Sequence, residues 1–197
     1  MDEPVKSTSK KRARDSEPAV ASKPAKRMKN EKTLNTRPSE RLDIYVFGTG
    51  DNGELGLGHE IRNGKKPKRV LRPRLNDLLD PKTVGVVQIA VGGMHCAALT
   101  HDNKIYTWGV NDLGALGRDT TKEPKEESDD SDDEEDMDLD PKESTPTAIP
   151  SNAFPDGVEF TQVVASDSAT FAVTTTGSVY GWGTFTVSIF TFCFITS

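Results

Sequence analysis

Gly48, Gly50 and Gly53 in the stretch IYVFGTGDNG stand at the Gly-x-Gly-x-x-Gly spacing that can cradle a pyrophosphate after a strand. That chemistry requires a helix next, because the helix N-terminus holds the phosphates. The next residues, ELGLGHEIRNGKKPKRV, contain Gly56, Gly58, Gly64 and Pro67 and have no helical period. The spacing therefore predicts a turn and no nucleotide site. His59, His95 and His101 do not fall at metal-ligand spacing with Cys96 or Cys193, so no metal site is expected. Two cysteines are too few for a disulfide framework, and with no secretory signal the default is a reducing compartment. No constellation supports a metabolic enzyme, and neither a cofactor nor a small-molecule substrate is expected.

The other groups able to do chemistry are charged, and they are unevenly spread. Residues 1–41 carry 12 Lys/Arg against 6 Asp/Glu, a net of +6, and have no hydrophobic periodicity. A chain of this kind cannot bury enough apolar surface to offset its ordering entropy, so residues 1–41 are expected to be a disordered basic tail. Within it, Lys10, Lys11, Arg12 and Arg14 form one cluster and Lys26, Arg27 and Lys29 a second, 11 residues on. Two such clusters suit a bipartite nuclear-import signal read by an importin, and the same charges attract DNA phosphates through counterion release. Residues 122–143 carry 13 acidic against 3 basic residues, a net of −10, and read as a disordered insert. Ser131, followed by Asp132, Asp133 and Glu134, is a phosphorylation candidate for an acid-directed kinase; a purely solubilising loop explains the run equally. The longest apolar stretch, Val187 to Ile195, is far short of the roughly 20 residues that span a bilayer, so no membrane partner is expected.

The elements that position these groups repeat. IYVFGTGDNGELGLG (Ile44 to Gly58) aligns without gaps on IYTWGVNDLGALGRD (Ile105 to Asp119) at an offset of 61. QIAVGGMHCAALTHDNKIYTWG (Gln88 to Gly109) aligns on QVVASDSATFAVTTTGSVYGWG (Gln162 to Gly183) at an offset of 74. Discounting the acidic insert, the period is about 50–60 residues, in the range of propeller blades. CAALT and KIYTWG flank HDN, and FAVTT and SVYGWG flank TG, both with the look of hairpins. Leu55 and Leu116 are expected to plug the base of the glycine turns. The fold class is all-β: propeller repeats beginning near residues 44, 105 and 179, amounting to about two to two and a half blades with the ring not closed.

GTGDNGELGLG, GGMHCAALT, WGVNDLGALGRDT and SVYGWGTF, in that order, resemble the first repeats of the regulator of chromosome condensation family. The resemblance spans about Ile44 to Phe185 apart from the acidic insert. It implies a seven-bladed β-propeller that acts as the nuclear guanine-nucleotide exchange factor for the GTPase Ran. It also implies that the basic tail serves import and attachment to chromatin, through histones and DNA. By motif, the Ran-facing residues carry over to Asp51, His95 and Asp167. Local roles compete with this: an Asx cap of its own turn for Asp51, and satisfaction of backbone groups inside the blade for His95. Where the family often has a histidine two residues after that aspartate, this chain has Ala169. A wedge that presses on the nucleotide-binding region is implied to begin at Thr184 or Phe185.

From residue 186 the pattern stops, and TVSIFTFCFITS comes next, uncharged and free of proline. Such a segment is β-prone and aggregation-prone. Val187-Ser188 is what an in-frame intron with a common donor sequence translates to, so residues 186–197 are expected to be a translated intron. The chain is accordingly expected to be a truncated form, inactive for exchange. A chromatin- or protein-binding propeller adaptor without exchange activity is the alternative, because a fold does not fix a function.

Overall fold

The computed structural model describes residues 32–62, 64–65, 67–121 and 139–184. Among the described residues, nine strands form three antiparallel sheets. The first pairs β1 (Tyr45–Thr49) with β2 (Arg69–Leu75). The second has the order β3 (Val86–Val91), β4 (His95–Thr100), β5 (Ile105–Gly109), β6 (Thr147–Ala148). The third has β7 (Phe160–Ala165), β8 (Ala169–Thr174) and β9 (Val179–Gly183).

Registers show that these are three copies of one unit. Cys96 faces Trp108 and Ala98 faces Tyr106, as Thr170 faces Trp182 and Ala172 faces Tyr180. Tyr106 faces Ala148 across β5–β6, as Tyr45 faces Leu75 across β1–β2. The second sheet is thus a complete four-stranded blade. Among the described residues, the first contains the two outer strands of a blade and the third the inner three. Both hairpin turns place a left-handed residue at the same point, Asn103 (φ 65°) and Gly177 (φ 88°). Thr100 and Thr174 close these turns, their hydroxyls accepting from the Lys104 and Ser178 amides at 3.0 Å each.

Stacking of the sheets makes the core. Strand β4 is buried at every position, because it has a strand on each side and a sheet against each face. Cys96 and Ala98 join Ile44, Leu79, Val86 and Trp108 between the first and second sheets. Leu99 joins Val87, Ile105, Phe160, Val163 and Ala172 between the second and third. Burying a side chain such as Leu99 contributes about 1.5–3 kcal/mol, and the small Ala97 and Ala98 let the neighbouring sheets approach.

Two segments expected to be disordered are ordered at their edges. Residues 34–41, assigned by composition to the basic tail, lie along the blades, and Leu42 continues them. The Leu34 amide donates to the Thr175 carbonyl (2.7 Å), Arg37 to the Asn103 side chain (3.4 Å), Arg41 to the Pro81 carbonyl (3.1 Å) and the Leu42 amide to the Val86 carbonyl (2.8 Å). This strap runs from the third sheet to the second and then leads into β1. The end of the acidic run also folds: Leu139 is buried, and Pro141–Ser144 forms a one-turn helix capped by Asp140, which accepts from the Lys142 amide (2.8 Å). Its Ser144 carbonyl accepts from the Gly58 amide (3.1 Å), which roots the insert beside the first sheet.

Candidate functional site

The second and third repeats each grip the preceding one through a backbone carbonyl. The Trp108 indole N–H donates to the Glu54 carbonyl at 2.9 Å, and the Trp182 indole N–H donates to the Ala115 carbonyl at 3.0 Å. The turn that offers the carbonyl then passes under the indole through a glycine. A Cβ on Gly56 would stand 2.6 Å from the Trp108 Nε1, and one on Gly117 2.7 Å from the Trp182 Nε1. Leu116 is fully buried and Leu55 nearly so, which makes them the plugs the repeat pattern suggests. Gly48, Gly50 and Gly53 run into this turn and not into a helix, so the pyrophosphate spacing serves the blade contact.

The same contacts gather the turns at one end of the array. The Val110 amide donates to the Met94 carbonyl (2.9 Å), and the Thr184 amide to the Ser168 carbonyl (2.9 Å). Across the sheets, the Gly93 amide donates to the Ser166 carbonyl (3.3 Å). His95 and Asp167 are brought together here, from adjacent blades. His95 is only 2% exposed, and its Nε2 lies 2.8 Å from the Thr170 hydroxyl. The Thr170 hydroxyl also lies 3.0 Å from the Ala115 carbonyl, so ring, hydroxyl and carbonyl form one buried chain of polar contacts. His95 is therefore a brace beneath the surface. Asp51 and Asp167 are exposed: Asp51 in the loop after β1, Asp167 in the β7–β8 turn. Thr184 ends the described segment at this same face; Phe185, Ser131 and the basic clusters at Lys10–Arg14 and Lys26–Lys29 lie outside the described residues.

Thr170 and Gly93 also belong to the site. Only the offset of 74 could have revealed them: it sets Gly93 on Asp167 and His95 on Ala169, so this brace occurs once among the described repeats. Among the described residues, no group of three or more His, Cys, Asp or Glu could hold a metal ion. What the end of the array offers is a rigid surface bearing carboxylates.

Burial lowers the His95 pKa from its ordinary 6.5, while the Asp167 carboxylate and backbone push it up by less. The unfolded chain therefore binds the proton more tightly. His95 contributes stability fully above about pH 6.5 and loses it as pH falls through the folded value. Melting temperature measured from pH 8 to 5 should drop on the acid side, and His95→Gln should flatten part of that drop. A slope unchanged in the variant would show that His95 is not the titrating group.

Three stacked antiparallel sheets, one of them a complete four-stranded blade, latched through indoles and glycine turns, define a β-propeller repeat protein. A profile of the regulator of chromosome condensation (RCC1) repeat matches residues 43–99 and 102–173, and the chain belongs to that family. It is 45% identical over 151 residues to Protein pim1 of Schizosaccharomyces pombe, covering 77% of this chain and 26% of that one. It is 44% identical over 151 residues to the guanine nucleotide exchange factor SRM1 of Saccharomyces cerevisiae, covering 73% and 30%. The mouse regulator of chromosome condensation is 35% identical over 173 residues, covering 87% and 33%. A crystal structure of Saccharomyces cerevisiae Prp20p, described with its binding to Gsp1p and histones, superposes with a TM-score of 0.62 at 39% identity, over 77% of this chain and 30% of that one. One of Kap60 bound to yeast RCC1 (Prp20) gives 0.63 at 34%, over 87% and 37%. The chain thus spans between a quarter and a third of the length of these sequence relatives.

Proposed function

We propose that the chain carries the first blades of a nuclear guanine-nucleotide exchange factor for Ran, and that its turn-bearing end supplies part of the Ran-facing surface. The observation that carries this is the seating of Asp167. Its carboxylate is exposed, yet its turn is fixed between Gly93 and the buried His95–Thr170 pair. The naming of SRM1 as an exchange factor, at 44% identity, supports the activity.

Exchange involves no covalent step, so the absence of a nucleophile from the sequence motifs fits it. A factor that binds the nucleotide-free GTPase better than the loaded one lowers the barrier to release, and accelerates loss of GDP and GTP alike. A rigid carboxylate does this at low entropic cost, because its position is set before the partner arrives. A wedge beginning at Thr184 and Phe185 would act on the nucleotide-binding region from the same end. The described residues complete one blade, so the chain alone should bind nucleotide-free Ran without appreciable exchange. Binding can be read by biolayer interferometry and exchange by release of a fluorescent GDP. Asp167→Ala should weaken binding about three- to tenfold, chiefly by slower association. Binding as tight as that of the native chain by both Asp167→Ala and Asp51→Ala would remove this face from the reading.

Import and chromatin attachment belong to the same proposal, with importin, histones and DNA phosphates as partners of the basic tail. The Kap60 complex of a relative supports an importin partner. Residues 1–31 fused to a cytosolic reporter should drive it into the nucleus, and charge-neutral substitutions at Lys10, Lys11, Arg12, Lys26 and Arg27 should abolish this. A reporter that stays cytosolic with the native tail would remove the import role.

A further inference from the structure

Corresponding connections in adjacent blades carry opposite charge. At the offset of 61 that relates the first two repeats, residues 61–76 fall on residues 122–137. Residues 61–76 contain seven Lys/Arg and no Asp or Glu, a net of +7. Residues 122–137 contain ten Asp/Glu and two Lys, a net of −8. Both stretches come after the glycine turn. The first runs into and along the outer strand β2, and the second leads towards the outer strand β6.

The positive charge is displayed along the rim of the first blade. Among the described residues β2 pairs with β1 on one side and with no strand on the other. Strand β6 also stands last in its sheet, so this edge is the outer edge of a blade. Arg69 and Arg72 are exposed on β2, Lys65 is exposed in the turn before it, and Leu71 between the arginines is 82% exposed. Charge on a long edge strand keeps other strands from pairing with it, but either sign serves that purpose. A field of seven charges of one sign attracts a polyanion.

The negative stretch is anchored within reach of that rim. Its two ends meet where the Lys142 Nζ donates to the Thr121 carbonyl (2.7 Å). Its return limb already touches the first repeat, where the Ser144 carbonyl accepts from the Gly58 amide (3.1 Å), three residues before the basic stretch begins. The 17 residues 122–138, outside the described residues, can reach half their contour from this root, about 28 Å. The seven residues of β2 span about 23 Å. We propose that residues 122–138 dock along the outer edge of β2, with their carboxylates against Lys65, Arg69 and Arg72. Single exposed ion pairs are weak, and the docking rests on their number and on the tether, which holds the segment at about millimolar effective concentration. The docked segment competes with nucleic-acid phosphates for the rim of the first blade.

A carbodiimide joins a carboxylate to an amine with no spacer, and it tests the docking on the whole chain. In the monomer at low salt, Lys65 or Lys68 should be joined to carboxylates of residues 123–138, and the exposed Lys82 should not. These links should fall about fivefold at roughly 0.5 M salt, where screening shortens the reach of exposed charges to a few ångströms. Arg69→Gln with Arg72→Gln keeps both lysines and should lower the links about threefold. The second reading is a fluorescent DNA duplex. A Gly/Ser segment of equal length in place of residues 122–138 should raise duplex affinity about tenfold and steepen its salt dependence. Adding Arg69→Gln and Arg72→Gln should then reduce that slope by about 2, the value for two phosphate contacts. Links confined to Lys122, Lys125 and Lys142 overturn the proposal. Links chiefly to Lys10, Lys11 and Lys26 also overturn it, because the acidic segment would then cover the basic tail. So does a duplex affinity that does not rise, or a rise that Arg69→Gln and Arg72→Gln leave untouched, since general repulsion by the segment would explain the latter.

Discussion

Trp108→Ala should lower the unfolding free energy by about 3–5 kcal/mol, the range for removing a buried large aromatic side chain. The indole fills the space among Ile44, Leu79, Val86, Cys96 and Ala98, so truncation leaves a cavity where two sheets meet. Its N–H is also the donor to the Glu54 carbonyl, which would keep only the long contact from the Cys96 thiol at 3.6 Å. The first sheet has two strands and cannot stand alone, so loss of this contact should detach it before the other sheets unfold. Urea denaturation would then show a lower midpoint, and limited proteolysis should cut first in the loops around Glu54 and Arg62. Phe47 is the counterpart of Trp108 in the first repeat and is exposed, so Phe47→Ala should cost under about 1 kcal/mol. Equal losses in the two variants would refute the latch.

The hairpins and the blade period were legible because they are local: β-prone runs, a left-handed turn residue and a repeated Tyr-x-Trp-Gly leave marks within 15 residues. Leu55 and Leu116 were legible for the same reason. The strap was not, since Asn35 bonds the Thr174 carbonyl from 139 positions away, and its charge resembles that of the basic residues before it in the sequence. The small helix at Pro141–Ser144 was hidden within the acidic run, where a single buried Leu139 is too weak a pattern to stand out. The latch escaped because its acceptor is a backbone carbonyl, and any residue type supplies one; Glu54 and Ala115 share no side-chain chemistry. For His95 the motif left open both a partner-facing role and one inside the blade, and the third sheet laid over it leaves it 2% exposed.

That overlay makes Gly92 the most sensitive backbone position at the candidate site. A Cβ there would stand 2.2 Å from the Ser166 carbonyl oxygen and 2.7 Å from the His95 ring, neither of them the free end of a flexible chain. Gly92→Ala must therefore push the β7–β8 turn away from the second sheet. Overpacking of this kind costs about 1–3 kcal/mol. Its functional effect should exceed its effect on stability, because Asp167 rides on the displaced turn and the Gly93 amide loses its reach to the Ser166 carbonyl. Binding of nucleotide-free Ran should fall at least as far as in Asp167→Ala, although Gly92 presents no side chain to any partner. Gly114→Ala separates collision from backbone strain. Gly114 has φ 85° with nothing within 4 Å of an added methyl, so alanine there costs only the left-handed conformation, about 1 kcal/mol, and should leave binding intact. If Gly92→Ala and Gly114→Ala lose stability equally and both bind as the native chain does, the turn contact does not position Asp167, and the carboxylate acts from a loop that orders only against its partner.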